Sequence, residues 1–184
     1  MGSGLIDRIS EYVIKHPSSE LFPVVSIHDL EDAEKRVGFQ LPDLLKAFYT
    51  TIGNGYSGSW CDIIGLSGGK CFDFRDIFEA YQILKEGQEY EGRTWNRGLL
   101  PFCDWGCNIF SCVDCTDSEH PITTFEDYRL EPQNYSLNQF FEWWCADIDI
   151  LSQRERNIEA IDFVDPITKE KGTIYRKKRP RIEP

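Results

Sequence analysis

The stretch from Ser26 to Gly55 sets the tightest limits on the fold. Ser26 places a hydroxyl where it caps a helix, with Asp29 three residues on. The helix runs through Leu30, Ala33, Glu34 and Val37, and Gly38 supplies a left-handed stop. Leu41-Pro42 then opens a second helix, since proline is tolerated in a first helical turn. Leu44, Leu45, Phe48 and Tyr49 form its apolar side, and Gly53-Asn54-Gly55 breaks it. Two short helices with sharp stops are thus written into thirty residues.

Around this segment the pattern alternates between helical and extended. Leu5, Ile6, Ile9, Tyr12 and Val13 make an earlier helical stripe over 5–15, ended by His16-Pro17. Trp60–Ile64 reads as a short strand, 65–69 as a glycine turn, and 74–85 as a helix carrying Phe74, Ile77, Phe78, Tyr81 and Leu84. A polar loop is expected from Glu86 to Arg97. Three short strands follow at 98–103, 108–114 and 121–125, spaced as an antiparallel meander. Ser136 caps a last helix carrying Leu137, Phe140, Phe141 and Trp144 and extending to about residue 156. Ile158–Val164 and Thr173–Arg176 flank turn residues and read as a terminal hairpin. The expectation is one α+β domain over 1–157, with a hairpin and basic tail over 158–184.

The chain has 184 residues, 41 % hydrophobic and 14 % aromatic, which excludes disorder as the main state. No apolar run approaches the roughly 20 residues that span a bilayer. The opening Met-Gly-Ser-Gly-Leu-Ile lacks a basic start and a hydrophobic stretch, and Ile6 stands where myristoylation wants Ser or Thr. A soluble, cytoplasmic protein with no membrane association is expected. The formal charge is −11, and it is uneven. Residues 171–184 hold six cations against Glu183 alone, a net +5, so the remainder carries −16. A body this acidic repels phosphate backbones, which argues against nucleic acid as a partner. It attracts basic partners over a Debye length of about 8 Å.

Seven cysteines, an odd number with no secretion signal, argue for reduced thiols rather than a disulfide framework. Cys103, Cys107, Cys112 and Cys115 form a C-x3-C-x4-C-x2-C run with four possible zinc ligands. Structural zinc sites pair two knuckles across a longer spacer, however, and 108–115 reads as a strand in which cysteine is a small buried hydrophobe. No metal or other cofactor is expected. His16, His28 and His120 show no metal-pair spacing, and a Cys112–His120 dyad has no flanking signature. Gly65–Lys70 fails as a phosphate loop twice, at Ile64 and at Cys71. Carboxylates are plentiful between Asp62 and Asp127, but no pair has a diagnostic setting. No catalytic residue is assigned, and a non-enzymatic role is expected.

The segment Glu34-x3-Gly38-x2-Leu41-Pro42, followed by Phe48-Tyr49 and Asn54-Gly55, resembles the N-terminal half of the SUKH superfamily, the Smi/Knr-like proteins. Leu100-Pro101-Phe102 leading to Gly106, the strand Ile109–Asp114, Pro121-Ile122, and Ser136-Leu137 with Phe140-Phe141 continue the resemblance to about residue 150. The family often has Gly-Asp before that strand, whereas here Gly106 is followed by Cys107-Asn108. The 86–97 segment and the chain after 157 lie outside the resemblance. It implies a small central antiparallel sheet with helices packed around it. It also implies a protein that binds and neutralises a cognate bacterial polymorphic toxin, a nuclease or deaminase. The alternative it implies is an intracellular signalling or scaffold adaptor, as in fungal cell-wall regulation. For a toxin-binding role, Trp60, Asp62, Asp104 and Trp105, at strand ends and turns, are the expected partner contacts. The oligomeric state is left open.

Overall fold

Local chemistry accounts for the first helices. The computed structural model describes residues 3–16, 21–58, 61–69, 74–155, 158–164 and 171–177. Helix α1 (Ser3–Lys15) buries Ile9, Tyr12 and Val13. Helix α2 (Ile27–Val37) starts in a complete capping box: the Asp29 N–H donates to Ser26 Oγ at 3.1 Å and the Ser26 N–H to the Asp29 carboxylate at 3.3 Å. It ends at Gly38, φ 83°, whose N–H reaches the Glu34 carbonyl at 2.9 Å. Helix α3 (Asp43–Thr51) follows Pro42, where a missing N–H costs little.

The sheet then forms in chain order. Strands β1 (Tyr56–Ser57) and β2 (Asp62–Ile63) precede helix α4 (Ile77–Tyr90). Strands β3 (Leu99–Asp104), β4 (Ile109–Asp114), β5 (Pro121–Glu126) and β6 (Arg129–Ser136) follow. All neighbours are antiparallel in the order β1-β2-β3-β4-β5-β6, and the sheet is open. Helices α5 (Leu137–Cys145) and α6 (Ile150–Glu155) come next. Strands β7 (Ile158–Val164) and β8 (Lys171–Lys177) pair only with each other, from Ile158 opposite Lys177 to Val164 opposite Lys171. The α+β class holds, with helices around a small antiparallel sheet.

Strand β3 is buried along its whole length, as a strand covered on both faces must be. On one side Phe102 meets Phe140 of α5 edge-on at 4.9 Å, and Phe141 reaches Phe48 of α3 at 5.9 Å. A register shift between Pro101 and Cys103 sets Phe102 into this junction. Elsewhere Phe110 and Phe125, paired across β4 and β5, meet Phe74 and Trp95 at 5.7 and 6.2 Å. Thr124 of β5 is a local fault: its hydroxyl is buried and finds no hydrogen-bond partner among the described residues. The near-isosteric Thr124→Val is therefore expected to raise stability by about 1 kcal/mol, read by urea denaturation. A loss of similar size would show that the hydroxyl has a partner.

Four elements differ from the sequence expectation, the two-residue strand β1 (Tyr56–Ser57), which was not expected, being the first. Helix α4 runs to Tyr90, so Glu86–Tyr90 is helical rather than loop. Its last turn is held by tertiary contact: Gln88 is buried and its Nε2 donates to the Tyr128 carbonyl at 2.6 Å. The long terminal helix is two helices, broken where Asp147 takes φ 52° and its carboxylate accepts the Tyr12 hydroxyl at 2.9 Å. Strand β6 was not expected, because Pro132 and polar residues obscure it; at a sheet edge such a strand is tolerated.

Candidate binding surface at one end of the sheet

The antiparallel register brings three segments to one end of the sheet. Asp62 lies opposite Asp104, Ile109 opposite Glu126, and Glu126 opposite Arg129. Strand β2, the β3–β4 turn and the β5–β6 turn therefore meet there. Four of the six described non-glycine residues with positive φ lie in these two turns: Cys107 (52°), Asn108 (62°), Asp127 (48°) and Tyr128 (58°). Left-handed backbone costs a side-chain-bearing residue about 1–3 kcal/mol and concentrates at functional sites.

The β3–β4 turn is held from inside. Asp104 is 7 % exposed, and its Oδ1 accepts the Gly106 N–H at 2.7 Å. Trp105 is half-buried, donates Nε1–H to Ser111 Oγ at 2.9 Å, and lays its ring edge toward Phe140 at 6.0 Å. Asp62, also half-buried, accepts the Ser57 hydroxyl at 2.7 Å. The structure thus brings Asp62, Asp104 and Trp105 together, while Trp60 lies outside the described residues. Sequence reasoning missed Glu126, Asp127 and Tyr128 as part of this end. A two-residue hairpin turn is signalled by Asn-Gly, and Asp-Tyr carries no such signal.

The cysteines divide by position. Cys103 and Cys112 are fully buried on neighbouring strands, Cys115 is half-buried beyond β4, and Cys107 is exposed in the turn. Burial pushes the Cys112 and Cys115 thiols well up, and burial with Cys61 alongside does the same for Cys103. Burial also pushes Cys145 up to about 11. Burial thus favours the neutral thiol, the form in which cysteine packs as a small hydrophobe. Among the described residues no three His, Cys, Asp or Glu side chains come within reach of one metal ion. His120 turns Nδ1 to the Asp114 carbonyl at 3.3 Å.

The motif residues of α2, α3 and the following break build the scaffold on which the sheet is held. Glu34 Oε1 accepts the Leu41 N–H at 2.8 Å and pairs with Lys46 at 3.0 Å, closing the link over Gly38. Asn54 is buried; its Oδ1 accepts the Leu66 N–H at 2.7 Å and its Nδ2 donates to the Leu66 and Ser67 carbonyls. Gly69 lies so close that a Cβ there would sit 2.4 Å from Asn54, so this glycine serves the packing, while Gly68 turns the chain at φ 79°. Arg36 stacks on Phe78 and pairs with Asp76 at 3.2 Å. Burial pushes the Asp76 carboxyl up, but the Glu79 amide, the Ser67 hydroxyl and Arg36 outweigh it and hold the group below the usual aspartate value.

No helix among the described residues is long and apolar enough to cross a membrane. A comparison with curated proteins returned no match. A family model, the SMI1 / KNR4 family (SUKH-1), matches residues 25–144. That span runs from the residue before the Ser26 cap to the last buried aromatic of α5, and so takes in the Glu34 clasp, the Asn54 anchor and the turn end of the sheet. With the match covering more than half its length, the chain belongs to the SMI1/KNR4 (SUKH-1) family.

Proposed function

We propose that this protein is a non-enzymatic immunity-type binding protein that neutralises a cognate bacterial polymorphic toxin, a nuclease or deaminase, through an acidic surface. The observation that carries the reading is the family match, since SUKH proteins are generally immunity proteins that bind toxins. The charge supports it: a toxin that works on nucleic acid carries a basic cleft, and a body of −16 attracts such a cleft with steered association. The protein acts in the cytoplasm, with 1–157 as the binding domain and 158–184 as an appendage. In this reading Asp62 and Trp105 are partner contacts together with Trp60, and Asp104, 7 % exposed, shapes the turn that carries Trp105.

The test is co-expression with the toxin domain encoded by the adjacent gene. The expected outcome is rescue of growth and a one-to-one complex. Association should slow by roughly tenfold as salt rises from low to physiological strength, read by stopped flow. Failure of both rescue and complex formation removes the reading.

A further inference from the structure

The last turn of α4 and the β5–β6 turn meet at one side chain, Tyr128, whose ring stands edge-on to buried Phe125 at 6.1 Å. Asp127 and Tyr128 form the two-residue turn closed by Glu126 opposite Arg129, and both lie in the left-handed region. That turn favours Asn-Gly, and a bulky tyrosine at φ 58° is held there against its preference. Two contacts hold it: the Tyr128 carbonyl accepts both Gln88 Nε2 and the Arg93 guanidinium. A third is steric. Gly87 sits inside α4, where glycine weakens a helix, and a Cβ on it would lie 2.8 Å from Tyr128 Cε1. Strained turn, helical glycine and buried Gln88 all serve to seat one ring that remains 46 % exposed.

The seated ring joins an exposed stripe. Ile83, Gly87 and Tyr90 recur at i, i+4 and i+7 on one face of α4; Ile83 is 47 % exposed and Tyr90 91 %. Exposed carboxylates surround it: Glu86, Glu89, Glu91 and Asp127. Of the nearby cations, Lys85 lies 3.9 Å from Glu89 and Arg93 is committed to the Tyr128 carbonyl, which leaves Arg129 facing solvent. Apolar and aromatic side chains rimmed by polar groups mark protein interfaces, and tyrosine is a preferred anchor.

We infer that Ile83, Tyr90 and Tyr128 form the anchor of this protein's interface with a basic protein surface, one that presents an apolar side chain flanked by arginine or lysine. The tyrosine faces receive the cations and the surrounding carboxylates complement them. This deepens the toxin-binding reading and rests on it. One of the three, Tyr90, lies in the 86–97 segment that the motif resemblance leaves out.

The test measures affinity of the full chain for the toxin domain of the adjacent gene by calorimetry, with thermal unfolding of every variant. Asp127→Asn/Tyr128→Gly installs the favoured turn dipeptide, and Gly87→Ala displaces the ring while strengthening the helix. Both are expected to fold with a Tm no more than a few degrees from the parent and to weaken binding at least tenfold. Tyr90→Ala is expected to do likewise. Asp117→Asn, in the β4–β5 connection at the opposite end of the sheet, should stay within twofold. A parent complex that all three patch variants retain overturns this anchor and leaves the toxin reading standing. A parent chain that forms no complex overturns the toxin reading and the anchor with it. Self-association that the patch variants abolish would make the occupant a second copy of the chain and overturn the basic-partner assignment.

Discussion

Replacing Phe141 by alanine is expected to cost about 4 kcal/mol, a large part of the roughly 5–15 kcal/mol that holds a domain folded. Phe141 is fully buried and is the ring where α3, α5 and the sheet meet. It lies 5.9 Å from Phe48, 6.2 Å from Phe102, 5.4 Å from Phe140 and 5.7 Å from Trp144, centroid to centroid. Four large rings cannot all move into the space it leaves, so the cavity term adds to the lost transfer energy. Thermal unfolding should fall by roughly 8–16 °C, since about 2–4 °C accompanies each kcal/mol in a chain of this size. Phe141→Leu keeps most of the volume and should cost about 1.5 kcal/mol or less. Both are read by urea denaturation monitored by circular dichroism. An alanine variant that loses less than about 1 kcal/mol would show that the aromatic junction is not the centre of the core.

Phe141 also shows what was legible in the sequence. Its place on an amphipathic helix after Ser136 followed from spacing and a cap, because both signals lie within one helical turn. The Ser26–Asp29 capping box and the Gly38 stop were readable for the same reason. The end of α4 was not, since Glu86–Tyr90 has no apolar stripe of its own and is helical because Gln88 and Gly87 meet Tyr128 from another part of the chain. Strand β6 was hidden because its pattern is that of an edge, half polar and carrying Pro132. The candidate surface was half legible. Trp60, Asp62, Asp104 and Trp105 were read at strand ends and turns; the register brings Asp62, Asp104 and Trp105 together at one end of the sheet, and Asp104 and Trp105 spend much of their chemistry holding the turn. Glu126, Asp127 and Tyr128 join that end through strand register, which no local pattern encodes.

Asn54 makes the same distinction testable at a motif position. Its Asn-Gly setting reads as a helix break, and the structure adds that the side chain bridges to the 65–69 turn with one accepted and two donated hydrogen bonds. Asn54→Ala leaves the Leu66 N–H and two carbonyls without that partner in a site only 4 % exposed, and is expected to cost about 3 kcal/mol. Asn54→Asp separates hydrogen bonding from shape. The carboxylate still accepts from the Leu66 N–H, but it brings a negative charge against the Leu66 and Ser67 carbonyls, which Nδ2 now meets at 3.4 and 3.2 Å. At pH 7 it should therefore destabilise at least as much as alanine. Those carbonyls and the burial favour the protonated acid, so its folded-state pKa lies above the unfolded value near 4. The folded aspartate variant then binds more protons than the unfolded chain, and its stability falls as pH rises through the folded-state pKa. Lowering the pH from 7 to 5 should return part of the loss to Asn54→Asp and none to Asn54→Ala, when each is measured against the parent by urea denaturation at both pH values. Equal pH dependence in the two variants would mean that folding does not raise the pKa of the introduced carboxyl, and that the facing carbonyls do not oppose its charge.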